Sequence, residues 1–163
     1  MLKKFVRTMA YIGGIATGFY LFASAPGIHK KKKWQHLTGW DYAHRGLYDN
    51  EHGIPENSTA AFRRAVDKGY GIELDVHLTA DNQLVVFHDD TLTRMCGMNK
   101  KISSFLYSDL MQLRLLGTEE GIPLFKDVLE LIDGKVPLII ELKVDGSNQN
   151  LLCPLVWQLL SRY

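Results

Sequence analysis

The chain has 163 residues and a net charge of +1, and 46% of its residues are hydrophobic. This length allows one ordinary domain with an appendage. The net charge conceals an asymmetry, because residues 1–33 hold seven cations and no acid, whereas the remainder holds 12 cations and 18 acids. Such an acidic body argues against a nucleic-acid-binding protein, which needs a basic face, and is compatible with carboxylates gathered around a divalent cation.

The chain opens with an apolar segment, residues 8–28, that no charged residue interrupts. Its length is that of a helix crossing a bilayer, and cations flank it on both sides. A cleaved signal peptide is the alternative, since Ala23-Ser24-Ala25 resembles a cleavage site. Pro26 and the lysine run 30–33 favour an uncleaved single-pass anchor. We therefore expect a transmembrane anchor with its cationic flank over residues 1–29 and a basic juxtamembrane linker over residues 30–40.

Two properties of this anchor stay open. Three side-chain cations precede the apolar segment and four follow it, so the positive-inside rule does not decide on which side of the membrane the body lies. Ala10, Gly14 and Gly18 form a ridge of small residues, a pattern that favours weak dimerisation of two anchors but is common in apolar segments.

Residues 41–163 alternate between strand and helix patterns. We predict strands over 41–44, 72–78, 84–88 and 136–142, and helices over 59–68, 109–116, 124–132 and 152–162. Asn57 or Ser58 can cap the first of these helices, and Gly69 suits its C-terminal end. Pro154 is tolerable in the last helix only within its first turn. The alternation favours an α/β fold with a mainly parallel sheet.

Three carboxylates interrupt the apolar strand patterns. Glu73 and Asp75 share one face of their strand because successive side chains alternate, and the apolar residues between them point the other way. Glu141 and Lys143 likewise share one face of the last strand. Ionisable groups are costly at such places unless they bind a ligand or each other. Glu73, Asp75 and Glu141 are therefore predicted to ligate Mg²⁺ or Ca²⁺, which prefer oxygen ligands; surface charge on an edge strand is the alternative.

Two histidines, His44 and His88, each end a predicted strand. Histidine titrates near neutral pH, so the two can divide proton removal and proton donation. Arg45 offers a planar fork of donors to a phosphate, and Lys143 offers a second cation. His77 shares the face of Glu73 but is expected to be structural or peripheral.

The two cysteines, Cys96 and Cys153, show no metal-binding spacing. We expect two buried thiols without a chemical role.

These motifs, in this order, resemble the glycerophosphodiester phosphodiesterase family. The segments that carry the resemblance are His44-Arg45-Gly46, Pro55-Glu56-Asn57-Ser58, Gly71-Ile72-Glu73-Leu74-Asp75-Val76, Val85-Val86-Phe87-His88-Asp89 with Arg94, and Glu141-Leu142-Lys143. The resemblance covers about residues 41–163. No single triplet is specific, but the ordered set is.

The resemblance implies a (β/α)₈ TIM barrel of the phospholipase-C-like phosphodiesterase type, with a divalent cation, Mg²⁺ or Ca²⁺, at the C-terminal ends of its strands. It implies the hydrolysis of a glycerophosphodiester substrate to sn-glycerol 3-phosphate and an alcohol. The roles that follow by motif are metal ligation by Glu73, Asp75 and Glu141, acid–base catalysis by His44 and His88, phosphate binding by Arg45 and Lys143, and support by Glu56 and Asn57.

The body is shorter than such a barrel, which takes about 250 residues. Residues 41–163 are expected to supply four strands, the N-terminal half of a barrel, as in a C-terminally truncated, membrane-anchored phosphodiesterase. The alternatives are a phospholipase-type lipid phosphodiesterase of the same architecture and an inactive membrane-tethered binding module.

Overall fold

The computed structural model describes residues 13–14, 16–24 and 37–163. The chain divides into two units, Met1–His36 and Leu37–Tyr163. Residues 13–14 and 16–24 are helical and exposed. Within the described ranges, no helix combines the length and apolar character needed to cross a bilayer. Much of the expected anchor (residues 1–12, 15 and 25–29) and most of the linker (30–36) lie outside the described residues.

Strand β2, Gly71–Leu78, is the centre of the sheet in residues 37–163. Strands β1, Tyr42–His44, and β4, Leu138–Leu142, both run parallel to it. Strand β3, Leu84–Val86, pairs with its last three residues in the antiparallel sense. Since Val76 has partners in both β3 and β4, these two strands lie on opposite sides of β2. The α/β class with parallel strands is confirmed.

The expectation of four successive barrel strands is wrong, because β3 does not belong to the parallel series. Only residues 79–83 separate β2 from β3, whereas a parallel neighbour needs a crossover of a dozen or more residues. Thr79 N–H donates to the carbonyl of Gln83 and closes the hairpin. Among the described residues the parallel series is therefore β1, β2 and β4.

The helices of residues 37–163 are α1 Thr59–Lys68, α2 Thr93–Cys96, α3 Tyr107–Leu110, α4 Phe125–Ile132 and α5 Gln149–Leu160, with short 3₁₀ turns at Asn50–His52, Ile102–Ser104 and Leu115–Gly117. The ends of α1 are as expected. Ser58 Oγ accepts from the N–H of Ala61, and Gly69 adopts the left-handed conformation at the C-terminus.

Two helix predictions are wrong. The helix expected over 109–116 is the single turn α3, after which the chain leaves the helix and Leu116 adopts a left-handed conformation with φ of 50°. This break lets both Leu110 and Leu115 enter one buried cluster. Helix α5 starts at Gln149 rather than Leu152, so Pro154 lies beyond the first turn, where its missing N–H removes one helical hydrogen bond.

The main hydrophobic core fills the space between one face of the sheet and the helices. Ile72, Leu74 and Val76 on β2 are fully buried there. Phe62 of α1 and Phe125 of α4 pack into the same cluster. Because side chains alternate along a strand, this packing leaves Glu73 and Asp75 on the other face, as expected.

Gly46, directly after β1, requires the absence of a side chain. Its φ is +81°, and an added Cβ would lie 2.9 Å from Cβ of Ala61 and 3.0 Å from Cδ1 of Phe62. The turn can therefore approach α1 only with glycine at this position.

Gly46→Ala should destabilise the domain by about 2–4 kcal/mol, since it combines a left-handed alanine with overpacking against α1. Gly53→Ala is the matched control, because Gly53 has φ of +76° with nothing within 4 Å of an added Cβ, and it should cost about 1 kcal/mol. Urea unfolding of the two variants measures the difference. Equal losses would show that the contact with α1 contributes nothing.

Candidate active site

Three carboxylates converge on the sheet face opposite the core. Glu73 and Asp75 lie on β2, and Glu141 pairs with Asp75 in the parallel register of β4. One oxygen from each lies within 4.8 Å of the others. Asp75 is buried, Glu73 is half-buried and Glu141 is exposed. Three hard oxygen donors at this spacing fit a divalent cation such as Mg²⁺ or Ca²⁺.

The buried charge of Asp75 is compensated from two sides. Asn57 Nδ2 donates to Oδ2 over 2.9 Å. Lys143 Nζ lies 2.9 Å from Oδ1 in an ion pair, although this oxygen lacks an aligned hydrogen bond within the described structure. The geometry between Nζ and Oδ1 is not that of a hydrogen bond, but the two charges are adjacent, so the contact is an electrostatic one. Oδ1 of Asp75 is thus a buried oxygen that has an ion-pair partner but no aligned hydrogen bond.

Lys143 bridges two members of that cluster. Its Nζ also donates to Oε1 of Glu141 over 2.6 Å. Burial opposes the charged form, but the interactions of the ammonium with the carboxylates of Glu141 and Asp75 outweigh it and raise the pKa of Lys143. The ammonium is therefore held against the carboxylates. Its expected role as a phosphate contact stays a prediction.

The surroundings of Glu73 disfavour its ionised form. Burial raises its pKa, and the neighbouring charges of Asp75 and Glu141 add to the increase, whereas the N–H of Arg45 and the ring of His44 oppose it. The N–H of Arg45 donates to Oε2 over 3.1 Å. A cation at the cluster would relieve this repulsion, which is the electrostatic property expected of a metal ligand.

Arg45 occupies a left-handed turn at the end of β1, with φ of 58°. Non-glycine residues rarely adopt this conformation, and it persists where the surroundings fix it. Here the carbonyl of Arg45 accepts from the N–H of Asn57, and its Nη1 donates to Oε1 of Glu56 over 2.8 Å. The side chain is thereby directed back over the site, with Nε 3.7 Å from Oδ2 of Asp75.

The two histidines reach β2 from opposite directions. His44 ends β1 in register with Glu73, and its Nε2 lies 3.9 Å from Oε2 of that residue. His88 follows the antiparallel return of β3, where the N–H of Phe87 donates to the carbonyl of Asp75. Both ring side chains are solvent-accessible, His44 to 65% and His88 to 31%. Substrate could therefore reach either ring.

His88 is oriented by its neighbours. Its Nδ1 lies 2.7 Å from Oδ1 of Asp89, so an ionised Asp89 requires the proton on Nδ1. The buried His77 donates from Nε2 to the carbonyl of His88 over 3.2 Å. Burial lowers the pKa of His77, with the charge of Lys143 adding to that effect. His77 thus supports the His88 segment, in line with its expected structural place.

Asp89 and Arg94 both lie in the segments that carry the family resemblance, but no role was expected for either. Arg94 donates to both oxygens of Asp89 and both oxygens of Glu56. Hydrogen bonds from Arg94 and His88 hold the pKa of Asp89 at about 2 despite the opposing effect of burial. Burial likewise opposes ionisation of Glu56, but Arg94 and Arg45 lower its pKa. Glu56 is distant from Asp89 and Arg94 in sequence, so no local pattern could have revealed this network.

The cysteines lie apart from these groups. Both are free; Cys96 is half-buried and Cys153 is exposed, so the expectation of two buried thiols is wrong for Cys153. Burial raises the pKa of Cys96 to about 11, which leaves it an unreactive thiol.

The sequence matches the model of the glycerophosphoryl diester phosphodiesterase family over residues 44–159. A lysophospholipase D from Homo sapiens is 34% identical over 95% of this chain and 51% of its own length. A glycerophosphodiester phosphodiesterase from Caldanaerobacter subterraneus is 40% identical over 62% of this chain and 44% of its own. The chain spans about half the length of the curated relatives it matches.

Solved structures show the same relationship. A phosphodiesterase from Oleispira antarctica in complex with its product sn-glycerol-3-phosphate has a TM-score of 0.69 and 28% identity, over 77% of this chain and 53% of that chain. A glycerophosphodiester phosphodiesterase from Parabacteroides distasonis has a TM-score of 0.65 and 35% identity, over 76% of this chain and 51% of that chain. About three quarters of this chain thus corresponds in fold to about half of each of these two structures.

Asp89→Asn should destabilise the domain at neutral pH and not in strong acid. A carboxyl whose pKa is lowered from 3.8 to about 2 stabilises the fold above its ordinary pKa, and this contribution is lost as the pH falls toward 2. After solvent screening we expect a loss of about 1 kcal/mol at pH 6. Denaturant unfolding at pH 6 and pH 2 measures it, with exposed Asp67→Asn on α1 as control. A loss of equal size at both pH values would contradict the ionic origin.

Proposed function

The chain belongs to the glycerophosphoryl diester phosphodiesterase family, and from this we propose that the whole protein hydrolyses glycerophosphodiesters to sn-glycerol 3-phosphate and an alcohol with the help of a divalent cation. One observation carries the proposal: the carboxylate cluster of Glu73, Asp75 and Glu141 lies beside His44 and Arg45 on one sheet face. Family relatives with this activity by name support it.

Glu73, Asp75 and Glu141 are the residues that would hold the cation. Their oxygens are mutually close, and Asp75 offers a buried oxygen without an aligned hydrogen bond. A bound divalent cation supplies Lewis-acid stabilisation of charge on the phosphoryl oxygens. We prefer no particular ion, since carboxylate oxygens suit both Mg²⁺ and Ca²⁺.

The remaining site residues divide the other tasks of the reaction. Arg45 and Lys143 carry positive charge beside the cluster and would stabilise the developing negative charge on the phosphoryl group. His44 and His88 would act as the acid–base pair: one removes a proton from the attacking water, which forms the new P–O bond, and the other protonates the alcohol that departs as the old P–O bond breaks. The Nδ1–H of His88, held by Asp89, leaves its Nε2 free for proton transfer.

Glu73→Gln tests the metal hypothesis. We expect this variant to hydrolyse glycerophosphocholine at least about 100-fold more slowly than the unaltered protein in Mg²⁺ or Ca²⁺. In the unaltered protein, excess chelator should abolish the hydrolysis. The fold should survive, because removing a charge from a residue with a raised pKa relieves repulsion. Isothermal titration with the cation alone should show weaker binding, while exposed Glu119→Gln should change neither measurement.

Hydrolysis that persists in excess chelator, or cation binding that Glu73→Gln leaves unchanged, would contradict the metal hypothesis. No hydrolysis by the unaltered protein at any cation concentration would contradict the proposed activity and favour a binding module.

A lysophospholipid is the second candidate substrate. The human relative, 34% identical over 95% of this chain, bears the name lysophospholipase D. We propose that the apolar residues 8–28 anchor the protein in a membrane and hold the site near such lipids. The supports are the length of this segment without charge and the cations on both of its flanks.

Deletion of residues 1–33 separates the two substrates. It should lower hydrolysis of lysophosphatidylcholine in vesicles by about tenfold or more, since anchoring raises the local concentration of enzyme at the surface. Hydrolysis of soluble glycerophosphocholine should not change and serves as the control. Equal losses on both substrates would contradict anchoring, and no hydrolysis of lysophosphatidylcholine by the unaltered protein would remove this candidate.

A further inference from the structure

The guanidinium of Arg94 joins two carboxylates that lie outside the acidic cluster. Its Nε and Nη2 donate to the two oxygens of Asp89 over 2.8 and 2.9 Å. Its Nη1 and Nη2 donate to the two oxygens of Glu56 over 2.9 and 2.7 Å. Charge-assisted, forked pairs of this kind are strong and fix geometry as well as charge. All three nitrogens of the guanidinium are thereby committed to protein carboxylates.

Each of these carboxylates also holds a residue of the candidate site. Oε1 of Glu56 accepts from Nη1 of Arg45 over 2.8 Å, and Oδ1 of Asp89 lies 2.7 Å from Nδ1 of His88. The side chain of Glu56 is only 6% exposed, so water contributes little to its position. The path runs from Arg45 through Glu56, Arg94 and Asp89 to His88 without a break.

We propose that Arg94 is a positioning residue that sets Arg45 and His88 in one arrangement through Glu56 and Asp89. The inference rests on the proposed function, because it assigns Arg94 to the phosphate-binding and proton-transfer groups of that reaction. Arg94 itself does not touch substrate. Without Arg94, Asp89 is free to move, and His88 loses the partner that keeps the proton on Nδ1. Glu56 then keeps Arg45 as its remaining arginine partner.

A lysine cannot substitute fully for this arginine. An ammonium is a point charge without the planar fork, so it cannot form two bidentate carboxylate pairs at once. Arg94→Lys therefore keeps the charge and removes the geometry, whereas Arg94→Gln removes both. Arg63→Gln on α1, where Arg63 is exposed, is the matched control for loss of an arginine.

Steady-state kinetics of the whole protein with glycerophosphocholine give the first test, at temperatures where melting curves show each variant folded. We expect Arg94→Gln to lower kcat by about 10- to 100-fold, the usual effect of losing a supporting partner. Arg94→Lys should remain at least about fivefold below wild type, and Arg63→Gln should stay within about twofold of it. Because Arg94 and Glu56 act as one unit, the double variant Arg94→Gln/Glu56→Gln should have a kcat only slightly below that of the less active of the two single variants.

A second measurement is independent of activity. The ¹⁵N chemical shifts of the His88 ring should report the proton on Nδ1 in wild type and a substantial shift of the proton to Nε2 in Arg94→Gln. A wild-type protein without hydrolysis but with this tautomer change would contradict the proposed function while supporting the positioning role. An unchanged tautomer, wild-type kcat in folded Arg94→Gln, full kcat in Arg94→Lys, or additive losses in the double variant would each overturn the positioning role.

Discussion

The buried charge of Asp75 is the constraint on which the site depends. A carboxylate at the centre of a sheet costs free energy unless nearby groups compensate it. The compensation comes from Asn57, at the start of the first helix of the domain, and from Lys143, at the end of the last strand of the sheet. These partners are 18 positions before Asp75 and 68 positions after it in the chain. The two contacts of Asp75 thus connect β2 with the loop that follows β1 and with the end of β4.

The turn after β1 shows how backbone conformation serves this arrangement. Arg45 and Asn57 are both left-handed, with φ of 58° and 54°, and the carbonyl of the first accepts from the N–H of the second. The close approach of Gly46 to α1 holds the turn against the core. A conformation that is unfavourable alone is therefore maintained by contacts on both sides, which directs the Arg45 side chain toward Asp75 and Glu56.

The antiparallel hairpin brings residues to the site that the parallel strands do not supply. Strand β3 returns along β2, and His88 follows at the level where Asp75 pairs with the returning chain. The same return brings Asp89 and Arg94 to Glu56, on the loop that precedes α1. Arg94 lies between Glu56 and Asp89, so these two carboxylates outside the cluster are neutralised locally. The carboxylates within the cluster are instead approached by Lys143 and, more distantly, by Arg45 and His44.

The sequence by itself determined the α/β class, the caps of α1 and the shared face of Glu73 and Asp75, because helix ends and strand alternation are local properties. The ordered motifs also determined the family. The direction of β3 is also a local property, because the short connection 79–83 requires an antiparallel pair. Tertiary structure alone decided the break after Leu110, which places Leu110 and Leu115 in one buried cluster, and the contact of Lys143 with Asp75, which is distant in sequence. It also decided the role of Arg94: nothing local distinguishes an arginine on the surface from one that joins Glu56 to Asp89, and only folding brings the two acids to one guanidinium.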